Sequence, residues 1–468
     1  MEKAMRQVRR VVHLRRDIDH DRSPLYSSSS EKSKDFYMSQ MDLRQVLERW
    51  VGDHVEFEAE DLIAPPDRNV VPYTFQIKVT ISTYPRLLVD YNLFVKMLLE
   101  DRYHLAKRER AYMRLDILTN LKKEILIYKV VIPKIKTFQK LNLIMNEFRA
   151  SNLFSKCIGT RLSTKPVLPD LPDHSSAIVM FNPYEKYTFQ TCETEGSRYN
   201  GFTYDIAILI LRDMAHFHAG TIAMRLKDNI KFVRKIIPIL NLKVKEFEQT
   251  PPFEMLCKDL ISYGLRDLEL PDDQMVALQD SLQLSRLYDR FVREETDHTW
   301  YALSYSRYSM SYIMTNNTCA NATKPSKLID LHRIGFDNCC KDLVSFIFTS
   351  VRPESFDEQR SFENLLQVYN REFIRTLQRH RVPIAKYTWD NFKAEFNTVG
   401  ERMLATIFMN IRTSFCRNYK GDGDPILSNE YRKRIKATVK MMTLFKWIKA
   451  SDFNSSVAFP DRDLIVLI

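Results

Sequence analysis

The apolar positions of this chain fall into a few clear periods. Leu43, Val46, Leu47 and Trp50 recur at helical spacing in Met41–His54 and predict an amphipathic helix. Val71–Ile81 and Leu93–Leu99, rich in β-branched and aromatic residues, predict two strands, and Ser175–Glu185 predicts a third with an exit loop. Phe202–Lys227 is apolar nearly all round, the pattern of a buried helix. Residues 229–295 keep helical spacing. Phe362, Leu365, Leu366, Tyr369, Phe373, Ile374 and Leu377 mark a further amphipathic helix, and two more follow, beginning at Trp389 and Glu430. Between these helices, Leu328–Phe336 reads as an apolar strand delivering one carboxylate, Asp330. A helix opens after it with Asp342 near its start.

Composition narrows the class. A chain of 468 residues can bury a sizeable core, and 44% hydrophobic with 12% aromatic residues is globular usage. No apolar run approaches 18 residues, so no membrane span is expected. Seven cysteines without regular spacing point to reduced thiols in the cytoplasm, with Cys339 and Cys340 as packing residues. The net charge of +11 is dispersed and contains no aromatic-interleaved basic module, which argues against nucleic acid as partner. Residues 1–38 carry a basic start and the run SSSSEKSK and are expected to be a disordered tail. Glycine is scarce, 10 of 468 residues or about 2% against a usual share of roughly 7%. Phosphate-cradling loops use glycine to bring backbone N–H groups close to the ligand, so there are few places to build one.

Several spaced motifs then agree with one family. FVKM holds Lys96, and ExxxYxxVxP runs from Glu124 to Pro133. MAHFHAG spans Met214–Gly220, LID ends at Asp330, and DLVSFIF begins at Asp342. Together they resemble the insect ecdysteroid kinase-like proteins, a branch of the choline kinase-like and aminoglycoside phosphotransferase-like group. The resemblance covers about residues 41–450. It implies an α+β, two-lobed protein kinase-like fold, with a small antiparallel β lobe over residues 39–180 and a large, mainly helical lobe over 181–455. The degenerate catalytic segment is 298–350, and 456–468 forms a tail. It also implies ATP and Mg²⁺ as cofactors if the protein is active, none if it is not, and a nucleotide or small molecule as ligand. Lys96 and Glu124 are the expected cofactor-binding ion pair, and Asp330 the expected metal ligand.

The chemical half of the pattern departs from the family. Where the family reads approximately HGDLWxNN, this chain has Tyr305, Ser306 and Arg307, then Ser311 and Tyr312 at the paired Asn positions. Arg307 cannot accept a substrate proton near neutral pH, and hydroxyls are poor substitutes for amide or carboxylate ligands of Mg²⁺. The stretch DRNVVPYTF, where a glycine loop would cover phosphates, has no glycine, and Pro72 removes a donor. The expectation is therefore a pseudokinase with no catalytic group retained. An active ATP-dependent kinase acting on a hydroxyl of a steroid or similar alcohol is the alternative. His216 and His218 stand two apart on a helix and diverge, so His218 is read as a core histidine rather than a metal ligand.

Overall fold

The computed structural model of the chain describes residues 10–15, 46, 49–50, 55–58, 73–83, 87–97, 107–163, 171–172, 176–183, 188–189, 201–242, 270–291, 298–305, 308–316, 326–415 and 429–448. One lobe is built on a six-stranded sheet. Its strands are β1 (Arg10–Arg15), β2 (Val55–Glu58), β3 (Tyr73–Thr83), β4 (Leu87–Met97), β5 (Cys157–Arg161) and β6 (Ala177–Phe181), in the order β2-β1-β3-β4-β6-β5. All neighbours are antiparallel except β1 and β2. The strand expected at Leu93–Leu99 begins six residues earlier, at Leu87, and ends at Met97.

The tail expected over residues 1–38 is corrected at one point. Arg10–Arg15 (RVVHLR) pairs with β3, Val12 opposite Ile81, because Val11, Val12 and Leu14 supply β-forming side chains within the basic stretch. The rest of that segment lies outside the described residues. Of the helix expected at 41–54, Val46, Arg49 and Trp50 are described and helical. Val46 packs so closely on β5 that a Cβ at Gly159 would stand 2.6 Å from its Cγ1. Trp50 meets Phe181 edge-on at 5.7 Å.

Helix α1 (Lys107–Leu126) crosses beside this sheet and continues through a π-turn, Ile127–Val131, into α2 (Ile132–Leu141). Pro133 has no N–H to give the carbonyl four residues back, and the ladder widens where that donor is missing.

The second lobe is mainly helical. Its centre is α3 (Tyr204–Lys227), with Ala207, Ile210, Leu211 and the run Asp213–Met224 buried. Around it lie α4 (Asn229–Lys235), α5 (Asp272–Phe291), α6 (Cys339–Ser350), α7 (Gln359–Arg379), α8 (Trp389–Phe415) and α9 (Asn429–Leu444). Among the described residues α3 is the one helix long and apolar enough to cross a membrane. Most of that stretch, 78%, is buried inside the protein, which is the signature of a core helix.

Short strands between the helices carry the candidate chemistry. β9 (Ile313–Thr315) sits between β7 (Thr188–Phe189) and β10 (Ser326–Leu328), while β8 (Tyr301–Ser304) pairs with β11 (Gly335–Asn338). Asn338 caps α6, its side-chain oxygen accepting from the Cys340 N–H at 3.0 Å. The fold is thus α+β and two-lobed, with the kinase-like division into a sheet lobe and a helical lobe.

Candidate functional site

Lys96 lies on β4 between Thr74 of β3 and Ile178 of β6, inside the sheet, and is buried. Its ammonium donates to Glu124 Oε2 of α1 at 2.7 Å and to Asp330 Oδ1 at 2.7 Å. Three residues that the sequence reading selected one by one therefore meet, across 28 and 234 positions of chain. The lysine and Glu124 side chains are 5% and 3% exposed, and that of Asp330 is 35% exposed. Asp330 is the side of the cluster that a ligand can reach.

Burial alone would lower the pKa of Lys96. The carboxylates of Glu124 and Asp330 more than offset this and hold it above the ordinary lysine value. Burial likewise opposes ionisation of Glu124, but Lys96, then His332, hold its carboxyl well below the usual range. Oε1 of Glu124 accepts from the Leu331 N–H at 3.3 Å, and Oε2 stands 3.7 Å from His332 Nδ1.

Asp330 is not at the end of a strand, as its apolar flanks suggested. β10 stops at Leu328, and Asp330 takes a left-handed backbone (φ 53°, ψ 52°) before a 3₁₀ turn at Leu331–Arg333. Aspartate tolerates that region better than most residues, but it must still be held there. Tyr305 does this: its hydroxyl donates to the Ile329 carbonyl at 2.6 Å and the Asp330 carbonyl at 3.0 Å. Burial, then the Asp330 charge, push the phenol pKa well above its ordinary value, so it remains a donor at neutral pH. Ser326 Oγ donates to Asp213 Oδ2 at 2.6 Å and ties β10 to α3.

Beneath this turn lies a second polar cluster. Asp342, in the first turn of α6, accepts from the Tyr305 N–H at 2.6 Å and faces His218 Nε2 at 3.1 Å. His218 Nδ1 meets the Tyr369 hydroxyl at 2.8 Å. His218 and Asp342 are fully buried. His218 is thus a core histidine with a partner on each nitrogen, as its helix position predicted. His216 points elsewhere, toward Glu372 of α7.

Ser306 and Arg307 lie outside the described residues. Ser311 is exposed. Tyr312 is half-buried, its ring 5.4 Å from that of Tyr305 and capped on one face by the Arg333 guanidinium at 4.6 Å. Of DRNVVPYTF (67–75), the stretch expected to cover phosphates, residues 67–72 are also outside the described residues, and Tyr73–Phe75 open β3.

Arg333 was not weighed in the sequence reading. It belongs to the 3₁₀ turn that the strand-like pattern of this segment conceals, its N–H donating to the Asp330 carbonyl at 3.2 Å. His332, with Glu124 and Asp330, presents three possible ligand atoms within 4.8 Å of one another. The Lys96 ammonium already bonds both of those carboxylates. Magnesium asks for several oxygen ligands in octahedral array. With Glu124 buried and both carboxylates engaged by the ammonium, one partly exposed carboxylate and an imidazole remain, which does not fit Mg²⁺.

The sequence profile of the ecdysteroid kinase-like family matches residues 78–382, well over half of the chain. The chain belongs to the ecdysteroid kinase-like family. No curated protein matches it. Solved structures that it resembles include choline kinase from Cryptosporidium parvum Iowa II, at 9% identity and a TM-score of 0.33 over 79% of this chain and 87% of that one. Another is amicoumacin kinase with AMP-PNP, Ca²⁺ and its ligand, at 10% identity and 0.35 over 88% and 94%. A third is the GDP complex of aminoglycoside 2′-phosphotransferase-IIIa, at 10% identity and 0.33 over 87% and 100%. The family match, not these likenesses, carries the assignment. As an ecdysteroid kinase-like protein, the chain is a small-molecule kinase-like protein.

Proposed function

We propose that this ecdysteroid kinase-like protein is catalytically impaired, a pseudokinase that keeps the lysine–carboxylate framework and lacks the groups that take the substrate proton and hold the metal. The observation that carries the reading is the setting of Tyr312. At a position where the family has an amide, an aromatic ring packs on Tyr305 and carries a guanidinium on its face. An aromatic ring under a guanidinium thus stands at the position where an oxygen ligand is needed. In the sequence, Arg307 occupies the position of the proton acceptor. Phosphoryl transfer depends on positioning and charge neutralisation, so losing the base and a metal ligand together costs on the order of several kcal/mol in the transition state.

A second reading has its own support. Lys96, Glu124 and Asp330 are assembled at hydrogen-bond distance, the arrangement an active ATP-dependent kinase of a steroid or similar alcohol would require. A cytoplasmic location belongs to either reading and rests on cysteine usage.

ATP turnover with ecdysteroids and small alcohols separates the two. The impaired reading expects no turnover above the blank, and ATP with Mg²⁺ raising Tm by no more than about 1 °C. Turnover by the wild type that Asp330→Asn abolishes would establish the active reading instead. A Tm rise of several degrees that vanishes in Lys96→Ala, without turnover, would mean that nucleotide still binds and chemistry is lost.

A further inference from the structure

Among the described residues, most exposed large apolar side chains gather at one corner. Of the nine large hydrophobic residues found exposed among the described ones, six fall in two stretches: Leu141 at the end of α2 with Leu143 and Met145 just after it, and Leu226, Ile230 and Val233 at the end of α3 and on α4. Lys227 Nζ donates to Asn142 Oδ1 at 3.1 Å, which brings the two stretches to one corner of the protein. Leu143 is 84% exposed at a turn tip in left-handed conformation (φ 56°), and Ile230 is 69% exposed. Only Phe232 of α4 is buried, so the helix is anchored by one residue and shows the rest of its surface outward.

Cations are interleaved with these groups. Lys136 and Lys140 precede Leu141, Lys227 follows Leu226, and Lys231, Arg234 and Lys235 flank Ile230 and Val233; all six are exposed. Against them stand Asp228, which bonds Lys231 at 3.2 Å, and Glu147. This pattern does not suit a protein partner, because interface cores are depleted of charge and of lysine in particular. It suits a lipid surface. Single apolar side chains reach the acyl boundary while lysine and arginine extend to anionic headgroups.

We propose that this corner, Leu141–Met145 with Leu226–Lys235, docks the protein on an anionic membrane surface without spanning it. The chain's net charge of +11 favours the same approach at longer range. The inference is independent of whether the protein transfers phosphate.

The test is sedimentation of the full chain with vesicles of phosphatidylcholine alone or with about 30% phosphatidylserine, at about 0.1 M salt. Binding to the anionic vesicles, absent on the neutral ones and weakened at about 0.5 M salt, is expected. The pair Leu143→Asp and Ile230→Asp, and separately Lys231→Glu with Arg234→Glu, should each lower that binding roughly tenfold or more. All four side chains are exposed, so Tm should stay within about 2 °C of the wild type. Equal binding to both vesicle types, or variants that bind like the wild type, would overturn the proposal. So would a dimer, seen by light scattering and broken by the same substitutions, in a protein that ignores vesicles.

Discussion

Asp330 and Asp342 sit twelve positions apart, on either side of Tyr305, and face opposite conditions. Asp342 is fully buried and holds protein: the Tyr305 N–H and His218. Asp330 is partly open and holds one ammonium. Tyr305 links them, its backbone N–H on Asp342 and its hydroxyl on the carbonyls of Ile329 and Asp330. The deep carboxylate fixes the floor, and the floor fixes the strained backbone that aims the shallow one. A carboxylate's role here follows from what it faces. The inner cluster keeps a partner on each nitrogen of His218, while beside the outer one Tyr312 stands under a guanidinium. Loss of chemistry on the outer side would then leave the scaffold beneath it standing.

The comparison can be broken first at Lys96. Lys96→Ala strands the buried Glu124 carboxylate, and about 3–5 kcal/mol of stability should be lost in urea unfolding at neutral pH. The pH dependence sharpens this. Glu124 has a folded-state pKa depressed below its unfolded value, so its contribution is present above about pH 4.5 and lost as pH falls through the folded value. Lys96 has a raised folded-state pKa, so its share persists up to its ordinary value near 10.5 and disappears only as pH rises above that. The wild type should therefore lose stability below about pH 4.5, and Lys96→Ala should show a flatter acid limb. An unchanged acid limb would mean that other carboxylates, such as Glu372 beside His216, dominate that window.

At the inner cluster, Asp342→Ala leaves the Tyr305 N–H without its acceptor and His218 without one partner. A loss of about 2–3 kcal/mol is expected, together with a Tm drop that nucleotide does not reverse. A loss below about 1 kcal/mol would show that the floor is held by packing alone.

The members of these clusters were readable in the sequence, but their meeting was not. Lys96 stood out on an apolar strand, Glu124 on a helix with a tyrosine–proline signature, and Asp330 in an apolar run. What brings them together is tertiary, across up to 234 positions. The left-handed turn at Asp330 was missed because LIDLH is apolar enough to pass as continuous strand. The hydroxyl that bends it comes from Tyr305, 25 residues earlier. Arg10–Arg15 was missed for the opposite reason. Its β-forming core is short, and the composition of the surrounding 38 residues outweighed it.

Tyr305→Phe probes the link itself. It keeps the ring among Tyr308 and Tyr312 and removes only the two hydrogen bonds to the turn. About 1–2 kcal/mol should be lost. Hydrogen exchange should rise at Leu331 and Arg333, whose N–H groups close the turn on Glu124 and Asp330, and not in α6. Exchange rising equally in α6 would mean that the two clusters melt as one unit.

Tyr312→Asn should have the smallest effect on stability and the most to say about function. The lost ring contact with Arg333 is worth about 0.5–1 kcal/mol at a partly exposed site. In exchange, the substitution puts an amide oxygen at the position that resembles the family's metal-holding Asn. If positive charge and a missing ligand are what disable the site, Tyr312→Asn alone should leave turnover absent, because Arg307 still cannot accept a proton. It should nonetheless let Mg²⁺ with ATP raise Tm where either alone does not. Combined with Arg307→Asp, it should bring turnover above the blank. If the double variant binds Mg²⁺–ATP and still does nothing, the defect lies elsewhere, and the glycine-free stretch before β3 becomes the place to look.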